Sequence, residues 1–247
     1  MMGTNRLAGR HILVTGAGAG MGAAVARLFA AEGAALALLD INADALADVA
    51  EETGQLAIPC DVSSEQAVED AVALSVRKLG GLDGLVNVAG VLINKPVAET
   101  SFADFQNLVG INLGGPFLTC RAALPHLHAA KAATIVNVAS LSGLRSIPNM
   151  AVYTATKAGL VAFGEALSGE LGPNVRLNTV CPGIIRTAMT DFMFENGHEA
   201  GEAMKKLIRL GRPGTPEEVA QACLYLTSDE ASFVSGATLP VTGGHFR

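Results

Sequence analysis

The chain has two tyrosines, and one of them, Tyr153, has Lys157 four residues on. At that spacing two side chains share one face of a helix. A free phenol titrates near pH ~10, and an adjacent ammonium favours its ionised form and pulls that value down. A tyrosine tuned in this way can give a proton to a carbonyl oxygen during reduction, or take one from an alcohol during oxidation. Alone, the pair equally describes two side chains on a solvated helix face. Tyr225 has Asp229 at the same offset and makes no such case. Two serines upstream, Ser140 and Ser142, offer a hydroxyl that can hydrogen-bond the same substrate oxygen; each also reads as a turn or cap serine.

A second constellation lies near the N-terminus. An apolar run at 11–15 leads into Thr15-Gly16-Ala17-Gly18-Ala19-Gly20-Met21-Gly22 and then a helical pattern. Glycines permit the tight turn and a close backbone approach to a pyrophosphate, and a helix N-terminus offers free N–H groups and a positive dipole end. The placement between strand and helix separates this loop from a simple packing turn. Asp40 ends the second apolar run, where an acidic side chain meets an adenosine ribose. It can accept hydrogen bonds from both ribose hydroxyls and would repel a 2′-phosphate. It could instead cap the next helix, a task open to Asn42.

These groups need elements to position them. Apolar runs at 11–15, 35–40, 55–60, 84–90, 134–140, 175–183 and 237–241 read as strands. Helical patterns fill 21–33, 42–52, 64–79, 101–130 and 152–171, and another starts at Pro216. Gly33 stops the first helix, Ser63 or Ser64 caps the third, and Thr215 caps the last. Pro116 predicts a kink or break within 101–130. Strand–helix alternation implies right-handed crossovers and a parallel sheet covered on both faces. Continuous apolar strands agree with two buried faces. The expected fold is α/β, a Rossmann-type doubly wound parallel sheet of about seven strands in three αβα layers. Residues 1–247 are expected to form one dinucleotide-binding and catalytic domain.

Composition narrows the partners. Half of the 247 residues are hydrophobic, only 4% are aromatic, and the net charge is −6. That balance argues against a nucleic-acid backbone, which needs clustered Lys and Arg. Cys60, Cys120, Cys181 and Cys223 form no C-x-x-C pair and read as buried reduced thiols. No segment has the look of a signal peptide or a membrane span, so a cytoplasmic, membrane-free protein is expected. His126 and His128, two apart on a helix, face different ways, and no metal-ligand spacing occurs. No Gly-x-Ser-x-Gly elbow occurs either.

The loop spacing, Gly16-x-x-x-Gly20-x-Gly22 after a Thr, resembles that of the short-chain dehydrogenase/reductase family, and the resemblance runs through the whole chain. It implies a catalytic tetrad of Asn112, Ser140, Tyr153 and Lys157. It favours Ser140 over Ser142 because Ser140 directly follows Ile135-Val136-Asn137-Val138-Ala139. Asn112 would hold a water that relays protons through the lysine, and Lys157 would also bind the nicotinamide ribose. The resemblance puts Gly16, Gly18, Ala19, Gly20 and Met21 at the pyrophosphate, Asp40 at the ribose, and Asp61 and Val62 at the adenine. Asn87, Ala89 and Gly90 match the family's Asn-Asn-Ala-Gly segment, with Val88 replacing its second Asn. Pro182, Gly183, Ile185 and Thr187 match the segment that holds the nicotinamide. Thr242 stands where the family more often has Asp.

The resemblance implies an oxidoreductase that moves a hydride between a nicotinamide dinucleotide and an alcohol or ketone. Asp40, with uncharged Ile41 and Ala19 nearby, points to NAD over NADP. The alternatives are a 3-oxoacyl carrier-protein reductase and a non-catalytic redox sensor; Asp40 and the complete tetrad argue against them in turn. Leu92, Ile93, Asn94, Ile147, Met150, Ile184, Met189, Phe192, Met193 and Phe194 are expected to wall a pocket for a hydrophobic secondary alcohol or ketone. Residues 188–210 are expected to form its lid. Leu160, Val161, Phe163 and Ala166 look like apolar surplus on a helix, and the family implies a homotetramer.

Overall fold

The computed structural model describes residues 5–187 and 199–245. The first apolar run forms strand β1 (His11–Thr15), followed by helix α1 (Gly20–Ala31). The alternation continues through β2 (Ala35–Asp40), α2 (Ala43–Thr53), β3 (Leu56–Pro59), α3 (Glu65–Leu79) and β4 (Gly84–Asn87). Next come α4 (Phe102–Val109), α5 (Gly115–Ala129), β5 (Ala133–Val138), α6 (Ala151–Glu170) and β6 (Val175–Pro182). Helices α7 (Glu199–Leu207) and α8 (Pro216–Thr227) and strand β7 (Thr238–Val241) complete the series.

The strands form one seven-stranded sheet in the order β3-β2-β1-β4-β5-β6-β7, with every pairing parallel. Side chains alternate between its faces. Ile12 and Val14 of β1 pack in one cluster with Phe29 of α1 and Leu224 of α8. Leu13 packs in the opposite cluster with Val72 of α3 and Leu127 of α5. Leu36 and Leu38 of β2 face the first cluster, and Ala37 and Leu39 face the second. Both faces need apolar side chains, which is why the strands read as unbroken apolar runs. The chain reverses its winding between β1 and β4, and the crevice at their carboxyl ends is where such sheets receive ligands.

The expected break in the helical stretch 101–130 is present just ahead of Pro116. Residues Gly110–Gly114 form a π-helical turn, and the Gly115 N–H reaches back to the Gly110 carbonyl. Pro116 follows this turn, where Gly114 and Gly115 keep helical dihedrals, and it supplies no N–H to the regular ladder. Pro125 lies inside α5. Ser64 caps α3, and Ser101 and Thr215 build capping boxes on α4 and α8. Leu160, expected as surface surplus, is buried against Ala139 and Cys181. Among the described residues no helix is long and apolar enough to cross a membrane.

Candidate active site

The glycine loop is shaped by close approaches. Gly16 has φ +67°, and a Cβ there would lie 2.8 Å from the backbone of Ala89. A Cβ at Gly22 would lie 1.9 Å from the Gly16 carbonyl oxygen. No side chain fits at either point, so the loop folds back on α1 and meets the end of β4. Thr15 locks that junction: its Oγ1 accepts the N–H groups of Val88 (3.1 Å) and Ala89 (3.2 Å). Ala19 precedes α1 and gives it no side-chain cap, whereas Asn42, Ser64, Ser101 and Thr215 cap α2, α3, α4 and α8. The first-turn N–H groups of α1, from Gly20 and Met21 onward, are thus left for an anion. Across the loop, a Cβ at Gly20 would meet only the Thr187 methyl, at 3.6 Å.

Asp40 is tied to this loop. Its Oδ2 accepts the Gly18 N–H and its Oδ1 accepts the Asn42 N–H, both at 2.9 Å. Asn42, not Asp40, caps α2, accepting from the Ala45 N–H at 3.1 Å. A carboxylate has further lone pairs for ribose hydroxyls. Ile41 beside it is 71% exposed, so no neighbour blocks the place where a 2′ substituent would lie. Asp61 accepts from the N–H and hydroxyl of Ser63, and Val62 is buried against Gly115.

The four expected catalytic residues come from three elements: the end of β5, both ends of one turn of α6, and the π-helical turn. Lys157 is 4% exposed; its Nζ donates to the Val138 carbonyl at 3.1 Å and lies 6.0 Å from the centre of the Tyr153 ring. A Cβ at Gly90 would lie 3.3 Å from that Nζ and 3.2 Å from Asn112 Oδ1, so a side chain there would crowd both. Ser140 Oγ accepts the N–H of Ser142, which is itself buried. Ser140 is therefore the serine that faces the phenol.

The electrostatics correct one expectation. Burial pushes the Tyr153 phenol above its ordinary value, partly opposed by its hydrogen bond with Ser140. Burial also pushes the Lys157 ammonium down to about 8. Proximity in sequence suggested a lysine that lowers the tyrosine. In the folded chain loss of water sets the direction for both groups.

Two other expected residues serve the frame through their side chains. Asn87 is buried, donating to Asn137 Oδ1 at 2.9 Å and accepting from Thr119 Oγ1 at 2.7 Å. Its amide therefore points into the interior, and only its backbone faces the crevice beside Ala89 and Gly90. Asn112, fully buried, accepts the Val91 N–H (2.8 Å) and donates to the Val91 carbonyl (2.9 Å) and to Thr156 Oγ1 (3.2 Å). It staples the exit of β4 to α6. Thr15, Thr119 and Thr156 were missed as site residues; a threonine inside an apolar run was the available signal.

The segment after β6 is held in place as well. The N–H of Gly183 bonds to the Val241 carbonyl at 2.9 Å, and Ile185 bridges to Gly214. Pro182 and Ile185 are buried, and Thr187 ends the segment opposite Gly20. Leu92, Ile93, Met150 and Ile184 are half-buried, while Asn94 and Ile147 are exposed. The loops that carry them are joined by the Lys95 N–H and the Asn149 carbonyl at 2.7 Å. Met189, Phe192, Met193, Phe194 and residues 188–198 of the expected lid lie outside the described residues. The four cysteines are buried and free. Among the described residues no cluster of His, Cys, Asp and Glu could hold a metal.

The model of a family described as enoyl-(acyl carrier protein) reductase matches residues 16–245. The meso-2,3-butanediol dehydrogenase of Serratia marcescens is 40% identical over 97% of this chain and 95% of its own. The D-threitol dehydrogenase of Mycolicibacterium smegmatis is 37% identical over 97% of this chain and 94% of its own. A solved short-chain dehydrogenase/reductase from Brucella melitensis, titled a glucose/ribitol dehydrogenase, superposes with a TM-score of 0.93 at 39% identity, covering 98% of both chains. The chain belongs to the short-chain dehydrogenase/reductase family.

As a member of this family the protein is an oxidoreductase of the alcohol dehydrogenase and ketoreductase kind, and it binds a nicotinamide dinucleotide. Its residues fit that group. The uncapped start of α1 suits a pyrophosphate, Asp40 lies beside the loop for a ribose, and the space at Gly90 borders Lys157.

Proposed function

We propose that the protein is an NAD-dependent enzyme acting on a hydrophobic secondary alcohol or ketone, with Tyr153 as acid/base. The observation that carries this reading is the meeting of Ser140, Tyr153 and Lys157 beside Gly90, at the carboxyl end of the sheet. Bound there, the nicotinamide supplies or accepts the hydride. Ser140 holds the substrate oxygen, and Tyr153 gives or takes the proton on it. Lys157, charged in most molecules at pH 7 when it titrates near 8, favours the phenolate that oxidation requires. It also binds the nicotinamide ribose. Asn112 keeps Gly90, Val91 and α6 in register and bears the relay water.

Gly16, Gly18, Ala19, Gly20 and Met21 take the pyrophosphate, and Asp40 takes the ribose. Asp61 and Val62 border the adenine. The backbone of Asn87, Ala89 and Gly90 lines the crevice, while Pro182, Gly183, Ile185 and Thr187 hold the nicotinamide. The chain acts as one domain, with 188–210 as its lid. The free cysteines fit a reducing cytoplasm. Exposed Phe102, Phe105 and Phe117 on α4 and α5, and Phe233 before β7, support a homotetramer. The apolar walls Leu92, Ile93, Met150 and Ile184 support a hydrophobic substrate; the names of the butanediol and threitol relatives make small diols the rival class.

The test is bleaching of NADH absorbance against a panel of cyclic and aryl ketones, acetoin and sugar ketones, repeated with Tyr153→Phe. Turnover should fall by at least ~10²-fold in the variant with cofactor affinity nearly unchanged. Near-normal turnover in Tyr153→Phe would remove the acid/base assignment. Higher rates on polyols than on cyclic or aryl ketones would remove the hydrophobic substrate.

A further inference from the structure

One carboxylate at the start of α8 holds more than its own helix. Glu218 is the third residue of α8, and its Oε2 accepts the Thr215 N–H at 2.9 Å, which is all that the capping box requires of it. The same carboxylate also takes the Arg212 guanidinium in a fork: Nη1 donates to Oε2 at 2.9 Å and Nη2 to Oε1 at 2.6 Å. Arg212 Nη1 donates in addition to the Pro213 carbonyl at 3.0 Å. These bonds hold the Glu218 carboxyl down to about 2, Arg212 first and the Thr215 N–H second, so the pair is charged at neutral pH. Both side chains are half-exposed. An exposed ion pair contributes little to stability, but a two-bond fork fixes the orientation of its partners.

What the fork orients is Gly214. The groups on either side of it are engaged, the Pro213 carbonyl by Arg212 and the Thr215 N–H by Glu218. Gly214 turns its own N–H to the Ile184 carbonyl at 2.9 Å and its own carbonyl to the Arg186 N–H at 2.8 Å. A Cβ at Gly214 would lie 2.7 Å from Ile185 Cδ1 and 3.4 Å from Glu218 Oε2, so the residue is wedged between that segment and the carboxylate. Upstream, the Gly183 N–H is tied to the Val241 carbonyl; downstream, Thr187 lies opposite Gly20 of the glycine loop. Between those ends, Gly214 braces the middle of the segment.

We propose that Arg212 and Glu218 are positioning residues for the cofactor, a clamp that holds Gly214 against residues 184–186 and so fixes the grip of Ile185 and Thr187 on the nicotinamide half of the dinucleotide. The inference rests on the cofactor placement proposed above. Neither residue touches the cofactor. The adenosine half is held elsewhere, by the glycine loop and by Asp40, whose carboxylate is anchored on Gly18 and Asn42. Loss of the clamp should therefore be felt by one half of the ligand and not by the other.

Calorimetric titration with NADH and with ADP-ribose, which lacks the nicotinamide, separates the two halves without turnover. The unaltered protein should bind NADH the more tightly. Arg212→Ala and Glu218→Gln should each weaken NADH by at least ~fivefold and leave ADP-ribose within about twofold. Glu218→Gln keeps an amide oxygen for the Thr215 N–H, so α8 stays capped and the protein folded. Arg212→Lys, which keeps the charge and loses the fork, should fall between. Unchanged NADH affinity in both variants, or equal losses for NADH and ADP-ribose, overturns the clamp while leaving the cofactor placement standing. An unaltered protein that binds NADH no more tightly than ADP-ribose overturns the nicotinamide placement, and the clamp with it.

Discussion

Cofactor choice should rest on one carboxylate. Asp40 is anchored by the Gly18 and Asn42 N–H groups, so it cannot swing away from a cofactor seated on the loop. A 2′-phosphate on the ribose would bring a negative charge within roughly 4 Å of it, where like charges repel by about 4 kcal/mol at an effective dielectric of ~20. Asp40 is only half-buried, and solvent and salt reduce that figure. A remaining third still gives about 1.4 kcal/mol, or ~10-fold in catalytic efficiency for NADH over NADPH. The perturbation is Asp40→Ala with Ile41→Arg. It removes the repulsion and adds a guanidinium at a position already 71% exposed, with room to reach a phosphate. The assay is kcat/KM for both cofactors with one ketone, alongside cofactor titration by fluorescence. The preference should narrow or reverse. NADH affinity should also drop, because the Gly18 N–H loses its acceptor, a loss of about 1–3 kcal/mol where water cannot replace it. Equal efficiency of the unaltered enzyme with both cofactors, or an unchanged ratio in the variant, would refute the reasoning.

Burying Lys157 should destabilise the fold in a pH-dependent way. Its ammonium titrates near 8 in the folded chain against 10.5 ordinarily, so the unfolded chain binds more protons between those values and this residue's contribution to stability improves as pH rises through them. Lys157→Met should therefore be the more stable protein at pH 7, by roughly 1–3 kcal/mol, with a smaller margin at pH 9.5 by urea denaturation; a margin that grows with pH would contradict this. Gly90→Ala should keep the fold, yet crowd Lys157 Nζ and Asn112 Oδ1, raising KM for the cofactor at least several-fold; unchanged steady-state constants would show that the space is not used. Light scattering at micromolar concentration should give a tetramer mass, and Phe105→Asp with Phe117→Asp should lower it; a monomer from the unaltered chain would sink the assembly.

Much of this molecule was legible as sequence because its signals are local. The strand and helix boundaries follow from apolar runs, from caps such as Ser64 and Thr215, and from the glycine stop at Gly33; these act within a few residues. The glycine loop was legible because steric freedom at Gly16 and Gly22 is a property of the residue itself. Tyr153 and Lys157 were readable as a pair because one helical turn joins them. What the sequence could not carry was water, or rather its removal. Only the tertiary structure decided that burial sets the direction in which both Tyr153 and Lys157 titrate, since desolvation depends on all the neighbours at once. It also decided that Asn87 turns its amide inward to Asn137 and Thr119, residues 50 and 32 positions away. The break beside Pro116 takes the form of a π-helical turn, and only the fold shows that Asn112 on that turn reaches Val91, 21 positions away.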